Sequence, residues 1–152
     1  MNKLLKQHST QIDTGDGVKL VYHCDDMVRQ WVARELGITI EGECKTIGAV
    51  LDGRLIAGAV FNNYAGFMVD IHIATTDKRW CNRRVLKAVF EMAFNTLKCV
   101  RLNMMTAKNN KTMRRLASGL GFKQEGCHEK AHLGTTDAIS YGLLKSNCRW
   151  IK

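Results

Sequence analysis

At 152 residues, 45% of them hydrophobic and 24% charged, the chain has the size and composition of one soluble globular domain spanning 1–152. No apolar run approaches the roughly 18 residues that cross a bilayer. The charged opening, residues 1–6, leads into no apolar stretch of the secretory kind, so a cytoplasmic protein with no membrane partner is expected. The net charge of +9 divides into −2 over residues 1–76 and +11 over residues 77–152. That basic half is either a solvated face or the counterpart of something anionic, a phosphorylated ligand or a nucleic acid.

There are no prolines, so glycine does the punctuating. Gly15 and Gly17 precede residues 18–23, whose alternation predicts a strand. Asp25 or Asp26 is placed to cap a helix over 25–36, with Met27, Val28, Trp31 and Leu36 inward and Gly37 as its stop. Two apolar runs, 45–51 and 54–62, are joined by Asp52-Gly53 and predict a hairpin. Residues 66–75 predict a strand with Phe67, Val69, Ile71 and Ile73 on one face. Met68, Asp70, His72 and Ala74 take the other. After a polar link at 77–81, the stripe Val85, Leu86, Val89, Phe90, Ala93 and Leu97 predicts a helix over 82–97. A strand over 99–106 follows, then a helix capped by Asn109 or Asn110, a strand from Phe122 and a last strand over 138–145.

Six cysteines form no C-x-x-C motif and are expected as reduced, small core residues. Cys127, His128 and His132 are close in sequence, but no second pair of ligands accompanies them. They read as a polar hairpin tip, and no metal site is expected.

The most informative stretch is 109–126, N-N-K-T-M-R-R-L-A-S-G-L-G-F-K-Q-E-G. A polar cap opens a helix whose apolar residues are Met113, Leu116, Ala117 and Leu120; Gly121 stops it and Phe122 starts an extended run. This pattern resembles the C-terminal half of the GNAT N-acetyltransferases, and the order β-α-β-β-β-α-β-α-β-β over about 17–145 is similar to that family's. The tail Y-G-L-L-K-S-N-C-R-W and the motif R-W-x-x-R also look like a group of small acetyltransferases carried by bacteriophages. The resemblance implies an α/β (α+β) GNAT fold: a mixed central sheet of six to seven strands, helices on both faces, and a splay between the fourth and fifth strands. It implies acetyl-coenzyme A as cosubstrate and an amine acceptor, protein or small molecule, on a monomer or homodimer.

The same resemblance implies site residues. The pantetheine arm would lie along Ile73, Ala74 and Thr75, with a backbone N–H near Ile73 meeting the thioester oxygen. The following turn would hold the pyrophosphate, but the family's R/Q-x-x-G-x-G/A is here Arg79-Trp80-Cys81-Asn82-Arg83-Arg84, without glycine. Arg79, Asn82, Arg83 and Arg84 are the candidate phosphate contacts, with guanidinium groups replacing backbone ones. Trp80 reads as a packing lid. Asn109 would sit beside the pantetheine. The position where many members carry a Tyr acid is Ala117, which leaves Ser118 and Tyr141 as candidates. Asp70 and His72 share a strand face, so His72 is the candidate base. Asp137 and Glu125 could bind a cationic acceptor. Two other classes stay open: a nucleic-acid-associated modifier, and a non-catalytic binding protein of the same fold.

Overall fold

Alternating apolar residues dictate strands, and in the computed structural model, which describes residues 10–14 and 17–152, they form one eight-stranded sheet. The charged opening and Gly15 lie outside the described residues. The strands are β1 (Thr10–Asp13), β2 (Lys19–Tyr22), β3 (Cys44–Leu51), β4 (Arg54–Asn62), β5 (Met68–Thr75), β6 (Arg101–Ala107), β7 (Lys123–His132) and β8 (Thr136–Leu144). Their spatial order is β1-β2-β3-β4-β5-β6-β8-β7. All neighbours are antiparallel except β5 and β6. The first strand is one more than the sequence pattern predicts. The Asp52-Gly53 hairpin forms as expected, with φ of 51° and 77°, the twist that suits two-residue hairpin turns.

Three α-helices among the described residues cover the sheet: α1 (Asp25–Leu36) on one face, α2 (Arg83–Glu91) and α3 (Lys111–Leu120) on the other. Neither aspartate caps α1. Its N-cap is Cys24, and the Asp25 carboxylate instead accepts from the Thr46 N–H (2.9 Å) and hydroxyl (2.8 Å), tying the helix start to β3. The buried residues of α1 are Val28 and Val32, with Met27, Trp31 and Leu36 half-buried around them. Beyond α2, residues Met92–Thr96 continue as a π-helical turn. Phe90 stacks on Phe94 and on Trp150 and meets Phe122, which is buried in the same core. The C-terminal turn closes α3: Trp150 Nε1 donates to the Leu120 carbonyl (2.8 Å) and Arg149 to that of Gly119. Two carbonyls left over at the helix end thereby find partners.

Phe67 is exposed and lies before β5, but Val69, Ile71 and Ile73 line the α2 face as the alternation predicts. Only Cys99 and Cys148 are buried; Cys81 and Cys127 are exposed, and all six are free thiols. Cys127, His128 and His132 lie within β7, not at a hairpin tip. The turn is at 133–135, because Leu133 and Gly134 take positive φ.

Gly48 and Gly58 face each other across β3 and β4 beneath α1. A Cβ at Gly58 would fall 2.6 Å from Val32 Cγ2 and 3.0 Å from Val28 Cγ1; one at Gly48 would fall 2.7 Å from Val21 Cγ2. The pair lets the helix sit close to the sheet. Gly58→Ala should therefore destabilise the protein by about 1–3 kcal/mol, the usual cost of overpacking. Urea denaturation with unchanged m-value would measure it; an unchanged midpoint would show that α1 has room to move.

Candidate functional site

β5 and β6 pair only through Met68↔Arg101, Val69↔Leu102 and Asp70↔Asn103. Beyond that point each strand stays paired with its other neighbour, β5 with β4 to Thr75 and β6 with β8 to Ala107. The two therefore diverge, and the sheet forks where the family resemblance places its splay. The side chains of the last pair bridge the fork: Asn103 Nδ2 donates to Asp70 Oδ1 at 3.1 Å. Asn63 donates to the other Asp70 oxygen at 2.9 Å.

A cavity of about 210 Å³ occupies the fork, between Ile71, His72 and Ile73 on one side and Met104, Thr106 and Ala107 on the other. Asn110 and Met113 of α3 line it as well. Asn110 is the helix cap, its Oδ1 accepting from the Met113 N–H at 3.1 Å. Asn109 is exposed and does not line the cavity. A second cavity of about 340 Å³ includes Asp70, His72, Arg101, Asn103, Glu125 and His128. His72 borders both.

His72 Nε2 lies 3.0 Å from Asn62 Oδ1. Asn62 donates through Nδ2 to the Glu41 carbonyl, which assigns Oδ1 as the atom facing the ring. That oxygen only accepts, so Nε2 carries the proton and Nδ1 keeps a lone pair. Burial holds the imidazole pKa below its ordinary value, and the nearby Asp70 charge offsets this only in part. The ring is thus a neutral acceptor at pH 7. Glu125 is held below the usual carboxylate range by its hydrogen bonds from Arg101. Asp137 accepts from the Lys130 N–H at 3.0 Å and so secures the β7 bulge.

Past Ile73, Ala74 is buried and Thr75 exposed, its hydroxyl donating to the Asp77 carbonyl. Asp77 grips Arg79 through Nε and Nη2 and accepts the Arg79 N–H as well; these bonds lower its pKa to about 2. Trp80 is buried in the core, as expected of a packing residue. Asn82 caps α2 through the Val85 N–H (2.9 Å). Arg84 donates to the Thr14 carbonyl (2.8 Å) beside β1. Arg83 is exposed and has no ion pair among the described residues.

Ser118 is exposed, and Tyr141 is buried with its hydroxyl accepting from Arg114 Nε at 3.1 Å. Both line a third pocket, between α3 and the β7–β8 hairpin. The sequence pattern misses Asn62 and Asn103 as site residues, and it offers Asn110 only as a helix cap. Asn62 ends the predicted 54–62 strand, and it is buried together with every β4 residue from Leu55 onward.

No family model and no curated protein sequence matches this chain. Solved structures do match over nearly its whole length. A ribosomal-protein-S5-alanine acetyltransferase from Vibrio fischeri aligns with TM-score 0.66 at 10% identity, covering 93% of this chain and 98% of that one. A spermidine N-acetyltransferase, SpeG, from Vibrio cholerae aligns with TM-score 0.67 at 14% identity, covering 87% and 96%. RimL, a ribosomal L7/L12 alpha-N-protein acetyltransferase in complex with coenzyme A, aligns with TM-score 0.66 at 14% identity, covering 89% and 98%. The chain has the fold of the GNAT acetyltransferases, with an eight-stranded mixed sheet in place of the six or seven strands expected.

The neutral His72 has a consequence for stability. Its folded pKa is depressed, so the unfolded chain takes up a proton first as pH falls through about 6.5. The stabilisation present above that pH is lost below it. His72→Gln should flatten this part of the stability–pH profile, measured by urea denaturation from neutral to acid pH. A profile identical to that of the unsubstituted protein would show that folding does not shift the ring's pKa.

Proposed function

We propose that the chain is an acetyl-coenzyme A-dependent N-acetyltransferase. The observation that carries this reading is the fork between β5 and β6, which leaves two strand edges facing a cavity without pairing each other. Backbone N–H and C=O groups on such edges need partners. An extended amide-bearing arm, such as pantetheine, supplies them by strand addition. The residues at the start of α2 fit the other end of that ligand: Arg83 and Arg84 stand in its first turn, which contains no acid. Unpaired N–H groups and cations there favour phosphates. Arg79 and Arg84 already hold Asp77 and Thr14, so Arg83 is the cation left to meet a phosphate.

Acetyl-coenzyme A supplies an acetyl thioester that a neutral amine attacks, forming the C–N bond as the C–S bond breaks. The protein's part is to orient and to move protons. Nδ1 of His72, with its lone pair, accepts the proton from the attacking amine directly or through water. Asn62 fixes the ring's tautomer. The Ile73 strand offers the N–H for the thioester oxygen. Asp70 and Glu125 in the adjoining cavity draw a cationic amine toward His72. With Ala117 buried where a Tyr acid would stand, the thiolate leaves without an indispensable acid; a thiol pKa of about 8.5 permits this. Tyr141 and Ser118 then play secondary parts. The acceptor is a protein or small-molecule amine. The motifs shared with bacteriophage acetyltransferases support a place among those small enzymes.

Arg83→Ala should weaken acetyl-coenzyme A binding by about 10–100-fold, the loss of one charged hydrogen bond. Isothermal calorimetry measures this, and unchanged affinity would move the phosphates elsewhere. His72→Ala should lower turnover by about 10²–10⁴-fold near neutral pH, with binding retained. The deficit should shrink at higher pH, where the amine is already neutral. Tyr141→Phe should lose less than that range. A larger loss in Tyr141→Phe with binding intact would make Tyr141 the acid and refute this proton path.

A further inference from the structure

Residues 92–124 contain seven lysines and arginines and no aspartate or glutamate. α3 lies within this stretch. Asn110 and Met113 turn toward the fork, whereas Lys111, Arg114, Arg115 and Ser118 line the third pocket, a cavity of about 410 Å³ completed by Gln124 and Tyr141. The pocket therefore lies on a different side of the helix from the proposed cofactor slot.

Three features of this face require an anionic partner more than they suit solvent alone. First, Lys111 and Arg115 have no ion pair; those among the described residues are Arg29–Asp26, Arg79–Asp77, Lys87–Glu91 and Arg101–Glu125, all elsewhere. Second, Arg114 is held in place. It donates to the Tyr141 hydroxyl (3.1 Å), the Lys108 carbonyl (3.1 Å) and Gln124 Oε1 (3.4 Å), so its guanidinium is pre-organised at the pocket wall. Third, Lys111 lies three and four residues from Arg114 and Arg115, and it occupies the positive end of the helix dipole. Both placements are unfavourable without an anion. α1 has the opposite and ordinary arrangement, with Asp25 and Asp26 first and Arg34 last.

The chemistry of the surroundings selects the kind of anion. Among the described residues the exposed large apolar side chains are Ile12, Tyr64, Phe67, Val100, Met105, Leu133 and Leu144, none of them on α3. A protein partner needs an apolar or aromatic centre to dock on, and the aromatic residue of this pocket, Tyr141, is buried. Repeated charge contacts alone are how a nucleic-acid backbone is held. The ten residues of α3 span about 15 Å. Lys108, Lys111, Arg114, Arg115 and Lys123 bring five cations to that length and its flanks, enough to follow a run of successive phosphates. We propose that the α3 face and its pocket bind the phosphodiester backbone of a nucleic acid, beside the acceptor cavity, with which the pocket shares Tyr141.

The test is fluorescence anisotropy of a short fluorescein-labelled oligonucleotide over a range of salt concentrations. The unsubstituted protein should bind at low salt, with log K falling linearly against log salt. Lys111→Ala combined with Arg115→Ala should weaken binding and lower the slope by about two, one per phosphate contact. Both residues are exposed, and a melting curve checks that the fold is kept. Lys19→Ala combined with Arg34→Ala removes the same charge far from α3 and should leave the slope unchanged. Acetyl-coenzyme A affinity should be the same in both variants, so failure here and failure of the transferase reading are separately visible. Three results would overturn the proposal: no binding at low salt, equal losses in the two variants, or displacement by polyglutamate as effective as by unlabelled oligonucleotide. The last would assign the face to acidic protein instead.

Discussion

The Asp70–Asn103 contact marks the point at which the sheet stops being continuous, and the site follows from it. Two strands that begin in parallel register would gain hydrogen bonds by continuing. They diverge because each is held by a longer antiparallel partner, β5 by β4 and β6 by β8. Behind the fork, a polar chain runs from Asn63 through Asp70 and Asn103 to Arg101 and Glu125. Each carboxylate oxygen of Asp70 has an amide partner, so the charge is retained without leaving an unpaired group. In front of the fork, the exposed edges must be satisfied by water or by a ligand. The sheet itself thereby makes the slot.

Electrostatics organise the two faces differently. On the α1 face, acids begin the helix and are absorbed by structure, as Asp25 is by Thr46. On the other face, both helices begin with cations: Arg83 and Arg84 on α2, Lys111 on α3. A fold that places positive side chains at positive helix ends loses some helix stability and gains affinity for phosphate. These three cations are part of the +11 carried by residues 77–152.

Elements with strong periodicity were legible in the sequence. The Asp52-Gly53 turn, the β5 alternation from Val69 onward and the α2 stripe from Val85 to Phe90 appear where the pattern puts them, because local residue order sets which face is buried. What could not be read depended on distant partners. Gly48 and Gly58 look like ordinary strand residues until α1 is laid across them. Asp25 looks like a cap, but Thr46, 21 residues away, takes it. Asn62 gains its meaning only from His72 on the neighbouring strand. The choice between Asn109 and Asn110 is a one-residue question that capping chemistry alone leaves even. Cys127 and His128 look like a loop because β7 is an exposed, polar edge strand without the usual alternation.

If an extended ligand completes the fork as a slot, amide hydrogen exchange with and without acetyl-coenzyme A will show it. Exchange should slow in 71–75 and 104–107, the two diverging edges, and at the start of α2. Residues 68–70 and 101–103, already paired, should change little. Protection confined to the paired segment, or to the α3–β7 pocket with none along the diverging edges, would contradict it.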